Sequence, residues 1–274
     1  LIYIGAGFVL RFDPAKENLR YYQVPRWVEF DCIRDNTENF WFASVAQTIF
    51  RLVTDTLPFM TKLIPNSDFV HVGEKQRICQ DENGDLWLAL SGGVFKIRNP
   101  DMSPELKLEK IELPDNKGEP GSVMYDKKGN LWFGLSKGII FKYDPSGKSF
   151  RRFDLPQGSF PDNDNFITLI AEDSQGNTWF AVQNEGLFKL PHNGNTIVKT
   201  VNAQELSGSN AEPYIIDFMI DKNDELWLST LDGLFRLDKS GKTIRNYTGF
   251  EGTGRTYGSF YLRIVEDGNK NIWV

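Results

Sequence analysis

The sequence predicts an all-β chain built of repeated four-stranded antiparallel sheets. Three observations predict it. Tryptophans recur at Trp41, Trp87, Trp132, Trp179, Trp227 and Trp273, in steps of 46, 45, 47, 48 and 46 residues. An aspartate stands six residues before each of them, at Asp35, Asp81, Asp126, Asp173, Asp221 and Asp267. The apolar runs around them are short, β-branched and aromatic, and Gly, Asn, Asp and Pro bound them. A period of about 40–50 residues is shared by helix-pair repeats and propeller blades. Helical repeats need apolar residues at i, i+3, i+4 and i+7, which these runs lack. The blade reading remains.

Each unit reads as four strands. The first is apolar and runs into the aspartate, as in "ITLIAED". A turn such as "DSQGN" follows, where Gly tolerates positive φ and the Asx side chain caps the turn. The second strand carries the tryptophan, as in "LWLAL". A glycine break leads to the third: "GVFKI", "GIIFKY", "GLFKL" or "GLFRL". A turn such as "DPSGK" or "DKSGK" leads to the fourth, such as "SFRRFDL" or "TIRNYT". Four strands per period make a propeller blade. One twisted sheet cannot bury both its faces, whereas stacked sheets can. The tryptophans are therefore expected between adjacent blades.

Tyr3, in "LIYIG", takes the tryptophan position one shorter step earlier. The strand count is then six first, seven second, six third and six fourth strands. The expected fold is an all-β β-propeller of four-stranded antiparallel blades. Six blades' worth are visible, within a seven-bladed or longer array. Residues 1–274 are read as a single propeller, with repeats centred on Tyr3 and the six tryptophans. The chain opens inside a strand-like run and ends on a surplus "IWV", so a longer parent chain is expected.

Bulk composition narrows the function classes. Hydrophobic residues make up 40% and charged residues 25% of 274, which suits a packed core. The net charge is −6, from 31 basic and 37 acidic residues, and argues against nucleic acid as partner. No apolar run reaches the length of a membrane span. Two cysteines, Cys32 and Cys79, make no disulfide framework and read as buried free thiols.

The stretch "DKKGNLWFGLSKGIIFKYDP" resembles the two-component regulator propeller repeat, whose pattern is roughly D-x-x-G-N-L-W-I-G-T-x-x-G-L-x-x-Y-D-P. The likeness covers essentially the whole chain. It is strongest around Trp87, Trp132, Trp179 and Trp227, and weakest in "NTENFWFASVAQTIFRL", which lacks both glycines. In that family the repeats form the extracytoplasmic sensor of hybrid histidine kinases, often as two seven-bladed propellers. These respond to breakdown products of complex carbohydrates. The resemblance implies a periplasmic or extracellular sensor with a small carbohydrate as ligand. It implies the rest of a receptor chain as partner, with further blades and a kinase module, and leaves a homodimer open. The repeats are also similar to those of the streptogramin B lyase propeller.

Ligands of a propeller gather on the face that holds the second-to-third strand loops and the connections between blades. The turns holding the aspartates lie opposite, so these residues are expected to cap turns rather than to bind. Ten residues before each tryptophan stand Asp31, Arg77, Ser122, Leu169, Asp217 and Arg263, mid-way along the innermost strands. Asp31 with Arg77, and Asp217 with Arg263, read either as interblade ion pairs or as a polar channel floor. Towards the ligand face come Trp27, Glu29, Lys75, Asn165, Tyr214, Tyr257 and Tyr261. The candidate ligand set is Trp27, Glu29, Lys75, Arg77, Tyr214, Asp217, Tyr261 and Arg263. Aromatics stack on sugar faces, and the two arginines suit an acidic group.

No catalytic, metal or cofactor motif appears. Only two histidines are present. His192, in "LPHNGN", falls in a third-to-fourth strand turn and is expected in solvent. His71, in "FVHVGEK", precedes a first strand and could reach the ligand face, with Glu74 nearby. Three readings therefore compete: a non-catalytic sensor, a secreted propeller lyase using His71, and a structural or protein-interaction propeller.

Overall fold

The computed structural model describes residues 2–5, 8–13, 18–23, 30–36, 39–44, 48–52, 60–63, 78–90, 92–98, 107–115, 117–156, 166–182, 184–206, 215–230, 232–247 and 264–273. Within these, side chains are described from residue 31 onward, except at 43–50 and 52–63. The chain divides into two compact units, Leu1–Phe69 and Val70–Val274.

The first unit holds two sheets. β1 (Ile2–Gly5), β2 (Phe8–Asp13) and β3 (Asn18–Gln23) form a three-stranded antiparallel meander. β4 (Phe30–Arg34), β5 (Phe40–Ser44), β6 (Thr48–Leu52) and β7 (Met60–Leu63) form a four-stranded one.

The second unit repeats the four-stranded meander four times. The sheets are β8 (Ile78–Gln80) to β11 (Leu108–Ile111), with β9 (Leu86–Leu90) and β10 (Gly93–Ile97) between; then β12 (Pro120–Tyr125), β13 (Leu131–Leu135), β14 (Ile139–Asp144) and β15 (Ser149–Asp154). β16 (Ile167–Glu172), β17 (Thr178–Val182), β18 (Gly186–Leu190) and β19 (Val198–Asn202) follow, and then β20 (Ile215–Ile220), β21 (Leu226–Thr230), β22 (Gly233–Leu237) and β23 (Thr243–Tyr247). β24 (Val265–Glu266) and β25 (Ile272–Trp273) pair at the end. A short helix, α1 (Ala203–Leu206), follows β19 and buries Ala203 and Leu206. The described strands reproduce the expected order: the first sheet carries second, third and fourth strands, and the last carries a first and a second. The fold is all-β, a β-propeller of four-stranded antiparallel blades.

Within the second unit the tryptophans bury themselves between successive sheets. Trp87 meets Phe133 and Tyr143 of the next sheet, with ring centroids 6.2 and 5.8 Å away. Trp132 meets Phe180 edge-on at 5.9 Å. Trp179 packs in one cluster with Leu226, Leu228 and Phe235, and Trp227 in another with Ile264. Tilted and edge-on contacts of this kind add to the area buried. Trp41, Trp87, Trp132, Trp179 and Trp227 are all at most 8% exposed, whereas Trp273 is 60% exposed.

The first strands of this unit lie against one another, which makes them the inner strands. Three of them carry a bulge opposite the second strand, at Gly121, Thr168 and Ile216. One extra residue there sharpens the twist and re-aims the next side chain. That next residue is Ser122, Leu169 or Asp217.

Candidate functional site

Among the described residues, six repeats build a clasp in which the aspartate holds its turn and accepts from the tryptophan indole. In the turn 173–177 the Asp173 N–H donates to the Asn177 carbonyl at 3.1 Å, and the Gly176 N–H donates back to the Asp173 carbonyl at 3.1 Å. Gly176 adopts φ of 79°, a left-handed conformation that glycine enters freely. Asp173 Oδ1 accepts from the backbone N–H groups of Gln175 and Asn177. Its Oδ2 accepts from the Asn177 side-chain amide at 2.7 Å and from the Trp179 indole at 2.9 Å. The same indole bond occurs from Trp41 to Asp35 at 2.5 Å, from Trp87 to Asp81 and Trp132 to Asp126 at 2.9 Å, from Trp227 to Asp221 at 3.0 Å, and from Trp273 to Asp267 at 2.9 Å. The aspartates cap turns, as expected, and also anchor the tryptophans.

A cation stands over five of the six tryptophans. Directly across the strand pair from the tryptophan stands Arg51, Lys96, Lys142, Lys189 or Arg236. The ammonium groups of Lys96, Lys142 and Lys189 lie 4.6, 4.8 and 4.6 Å from the ring centroids of Trp87, Trp132 and Trp179. The same three reach Asp81, Asp126 and Asp173 at 3.8, 3.7 and 3.9 Å. This residue was missed at the level of sequence. Its signal was present: the quoted third strands carry Lys or Arg at one fixed place.

The electrostatics follow. Burial pushes the Asp173 carboxyl up, but the Trp179 indole, the Asn177 donors and Lys189 outweigh it and hold the group below its ordinary 3.8. Asp126 is lowered in the same way by Trp132, Asn130 and Lys142 against the effect of burial. These are capped structural carboxylates rather than poised acids or bases. No cluster of His, Cys, Asp and Glu among the described residues could hold a metal ion.

Of the candidate ligand residues, Asp217 is described and lies on an inner strand. It is buried, 7% exposed. Its Oδ1 accepts from the Phe218 N–H at 3.0 Å, and its Oδ2 accepts from the Ile264 N–H at 2.7 Å, tying its sheet to the next. Ser122 makes the matching tie, donating its hydroxyl to the Ile167 carbonyl at 2.8 Å. At Ser122 and Asp217 the ten-before position thus links sheets through backbone groups. Asp31 Oδ1 accepts from the Cys32 N–H in the same local geometry. Trp27, Glu29, Lys75, Arg77, Tyr214, Tyr261 and Arg263 lie outside the described residues, as do His71, Glu74, Asn165 and Tyr257.

At the loop end of the second unit, a cavity of about 130 Å³ opens between the sheets β8–β11 and β12–β15. Gly92 and Gly93 of a second-to-third strand loop line it, with Lys110 of β11 and Glu112 and Glu119 of the connection between the sheets. The Gly92 N–H donates to Glu119 at 3.3 Å. This is the face where the topology leads one to look for a ligand.

His192 sits in the opposite end, exposed, in the turn after β18. Its N–H donates to the Asn177 side-chain carbonyl at 3.0 Å, and its Nδ1 lies 3.1 Å from the Gly176 carbonyl. Cys32 and Cys79 are thiols outside any disulfide, and both are half-buried. Burial, aided by Asp31, pushes the Cys32 thiol up to about 12.

No protein-family profile matches the chain, and no curated protein sequence matches it either. Solved structures do share its fold. A streptogramin B lyase superposes with a TM-score of 0.70 at 16% identity, over 98% of this chain and 83% of that one. A catalytically inactive histidine-to-alanine variant of virginiamycin B lyase from Staphylococcus aureus, crystallised with quinupristin, gives 0.66 at 18% identity, over 88% and 77%. The extracellular domain of a hybrid two-component system from B. thetaiotaomicron gives 0.60 at 16% identity, over 98% of this chain and 38% of that one. No helix among the described residues is long and apolar enough to cross a membrane. At these identities the likeness shows the β-propeller fold.

Proposed function

We propose that the chain is the non-catalytic, ligand-sensing propeller of a two-component signalling receptor, working outside the cytoplasm and recognising a carbohydrate-derived ligand. The observation that carries this reading is the repeat itself. Its D-x-x-G-N-L-W pattern resembles the regulator propeller repeat, and its fold matches an extracellular domain of a hybrid two-component system. Ligand recognition is assigned to the loop end, with Trp27, Glu29, Lys75, Arg77, Tyr214, Tyr261 and Arg263 as the side chains that would stack on a sugar ring and hold its polar groups. The rest of a receptor chain would receive the signal, and a second copy of the chain is a further candidate partner.

A lyase is the second reading, favoured by the larger share of the lyase chains that the fold covers. The virginiamycin B lyase variant is inactive without one histidine. Here His192 is held by Gly176 and Asn177 in a turn, which leaves His71, with Glu74, for that role. A scaffold propeller is the third reading. Calorimetry with acidic and neutral oligosaccharides, run beside mass spectrometry of quinupristin incubated with the protein, separates them. Saturable sugar binding with quinupristin intact supports the sensor. Quinupristin opened by wild type and left intact by His71→Ala would overturn it in favour of the lyase. Neither binding nor cleavage would leave the scaffold.

A further inference from the structure

The turn end of the sheets β12–β15 and β16–β19 carries a second cavity, a notch of about 80 Å³. Lys128, Lys142, Arg151 and His192 line it above the rings of Trp132 and Phe153. Lys128 and Arg151 both reach across to the next sheet. The Lys128 ammonium lies 3.1 Å from His192 Nε2, and Arg151 donates to the Asn195 side-chain carbonyl at 2.8 Å. Lys128 can only donate, so His192 Nε2 accepts and its ring proton sits on Nδ1, facing the Gly176 carbonyl.

The charges do not balance. Two carboxylates also line the notch, and both are engaged. Asp126 holds its turn and the Trp132 indole, and Glu172 accepts from the Lys127 N–H at 2.9 Å. Lys142 is the cation that sits near one of them, 3.7 Å from Asp126. Among the described residues, neither Lys128 nor Arg151 has a carboxylate partner; their partners are a neutral ring nitrogen and an amide carbonyl. An ammonium has three donors and a guanidinium five. Each spends one on that partner, so most of their donors remain for a guest. The chain as a whole is acidic, at −6, so this is a local excess. The neighbouring seam is built differently: there Ser174 donates to Asp224.

We propose that this notch binds one small oxyanion, sulfate or phosphate, free or as an ester on a sugar, held by Lys128 and Arg151 with Lys142 at its edge. Guanidinium and ammonium donors to a charged oxygen are the stronger kind of hydrogen bond, and the guanidinium fork suits a tetrahedral anion. All three cations belong to the sheet β12–β15, so an anion there would rest on that sheet at its seam with β16–β19. The site lies at the opposite end of the strands from the cavity of Gly92 and Glu119, so the proposal does not depend on the sensor reading.

The test is calorimetry at fixed ionic strength with four probes: sodium sulfate, sodium phosphate, glucosamine 6-sulfate and glucose 6-phosphate. Wild type should take up one anion per chain, and Lys128→Ala and Arg151→Ala should each weaken it about tenfold. Binding of the free ions makes the ion itself the ligand; binding of the esters alone makes the ester the ligand. Uptake that is equal in wild type and both variants, or no uptake of any probe, would overturn the proposal. Should Arg151→Ala fail to fold, Lys128→Gln, at an exposed turn side chain, keeps the test in force.

Discussion

Trp179 donates its indole N–H to Oδ2 of Asp173 at 2.9 Å, six positions back in the chain. The bond is buried at both ends. Asp173→Ala would leave that indole, and the N–H groups of Gln175 and Asn177, without their acceptor. We expect a loss of about 2–4 kcal/mol by chemical denaturation. Trp179→Phe should lose less of the packing but all of the indole bond. The double variant Asp173→Ala with Trp179→Phe should fall short of the summed losses of its two singles by about 1 kcal/mol. Strict additivity would show that the two side chains act separately.

The clasps also set the response to acid. Asp126 and Asp173 lie below 3.8, since their donors outweigh burial. Asp267, exposed, is drawn to about 2 by Trp273, Asn271 and Asn269. A carboxyl with a depressed folded value favours the folded state above its unfolded value, and that contribution is lost as the pH falls through the folded value. Stability should therefore decline from about pH 4 down to about pH 2. Replacing Asp126 and Asp173 together by Asn should flatten the denaturation midpoint over that window. A wild-type midpoint that stays level from pH 5 to pH 2.5 would show that these carboxylates are not linked to folding.

The clasp was half legible before the structure. A spacing repeated six times fixes a register, so Asp173 and Trp179 could be placed on a turn and its outgoing strand. Lys189 carried an equally regular signal, since cross-strand partners share a face and the third strands repeat a basic residue. What pairs with what, however, depends on hairpin register, and the glycine break varies in length from blade to blade. The bulges at Thr168 and Ile216 have no compositional mark, yet they decide where Leu169 and Asp217 point. The ligand candidates were harder still. Trp27, Lys75 and Tyr214 fall in stretches of sequence that differ in every repeat, so repetition offers no alignment for them.

Gly134 tests how closely the sheets approach. A Cβ there would lie 2.5 Å from Ile167 Cγ2 of the next sheet and would also collide with the Ser122 hydroxyl, which is bonded to the Ile167 carbonyl. The matching positions hold Ala89, Ala181 and Ser229, so Gly134 is the smallest of these residues. Gly134→Ala should cost about 1–3 kcal/mol through overpacking, read from the melting temperature. A neutral or stabilising result would mean that the two sheets part easily.

Cys32 is expected to be inert while folded. Only the thiolate reacts, and burial with Asp31 beside it moves this thiol to about 12. At pH 8 a Cys79→Ser variant should take up no Ellman's reagent until denaturant is added, and then one equivalent. Prompt labelling of the native variant would show that Cys32 is exposed and ionised.

Asp217 separates the structural from the ligand reading of the inner strands. Its two oxygens accept from Phe218 and from Ile264, the latter on the neighbouring sheet at 2.7 Å. Both donors are backbone groups that a propeller needs whether or not a ligand is present. Asp217→Ala would strand the Ile264 N–H at a buried seam, and we expect a loss of about 2–3 kcal/mol. Asp217→Asn keeps one acceptor oxygen and should cost about half as much. In either variant, the fraction that remains folded should bind oligosaccharide with wild-type affinity. Arg263→Ala, by contrast, should weaken acidic over neutral oligosaccharides and leave the melting temperature nearly unchanged, since a guanidinium favours a carboxylate or sulfate. The reverse pattern, in which Asp217→Ala melts like wild type and loses the sugar, would move Asp217 from the seam to the ligand.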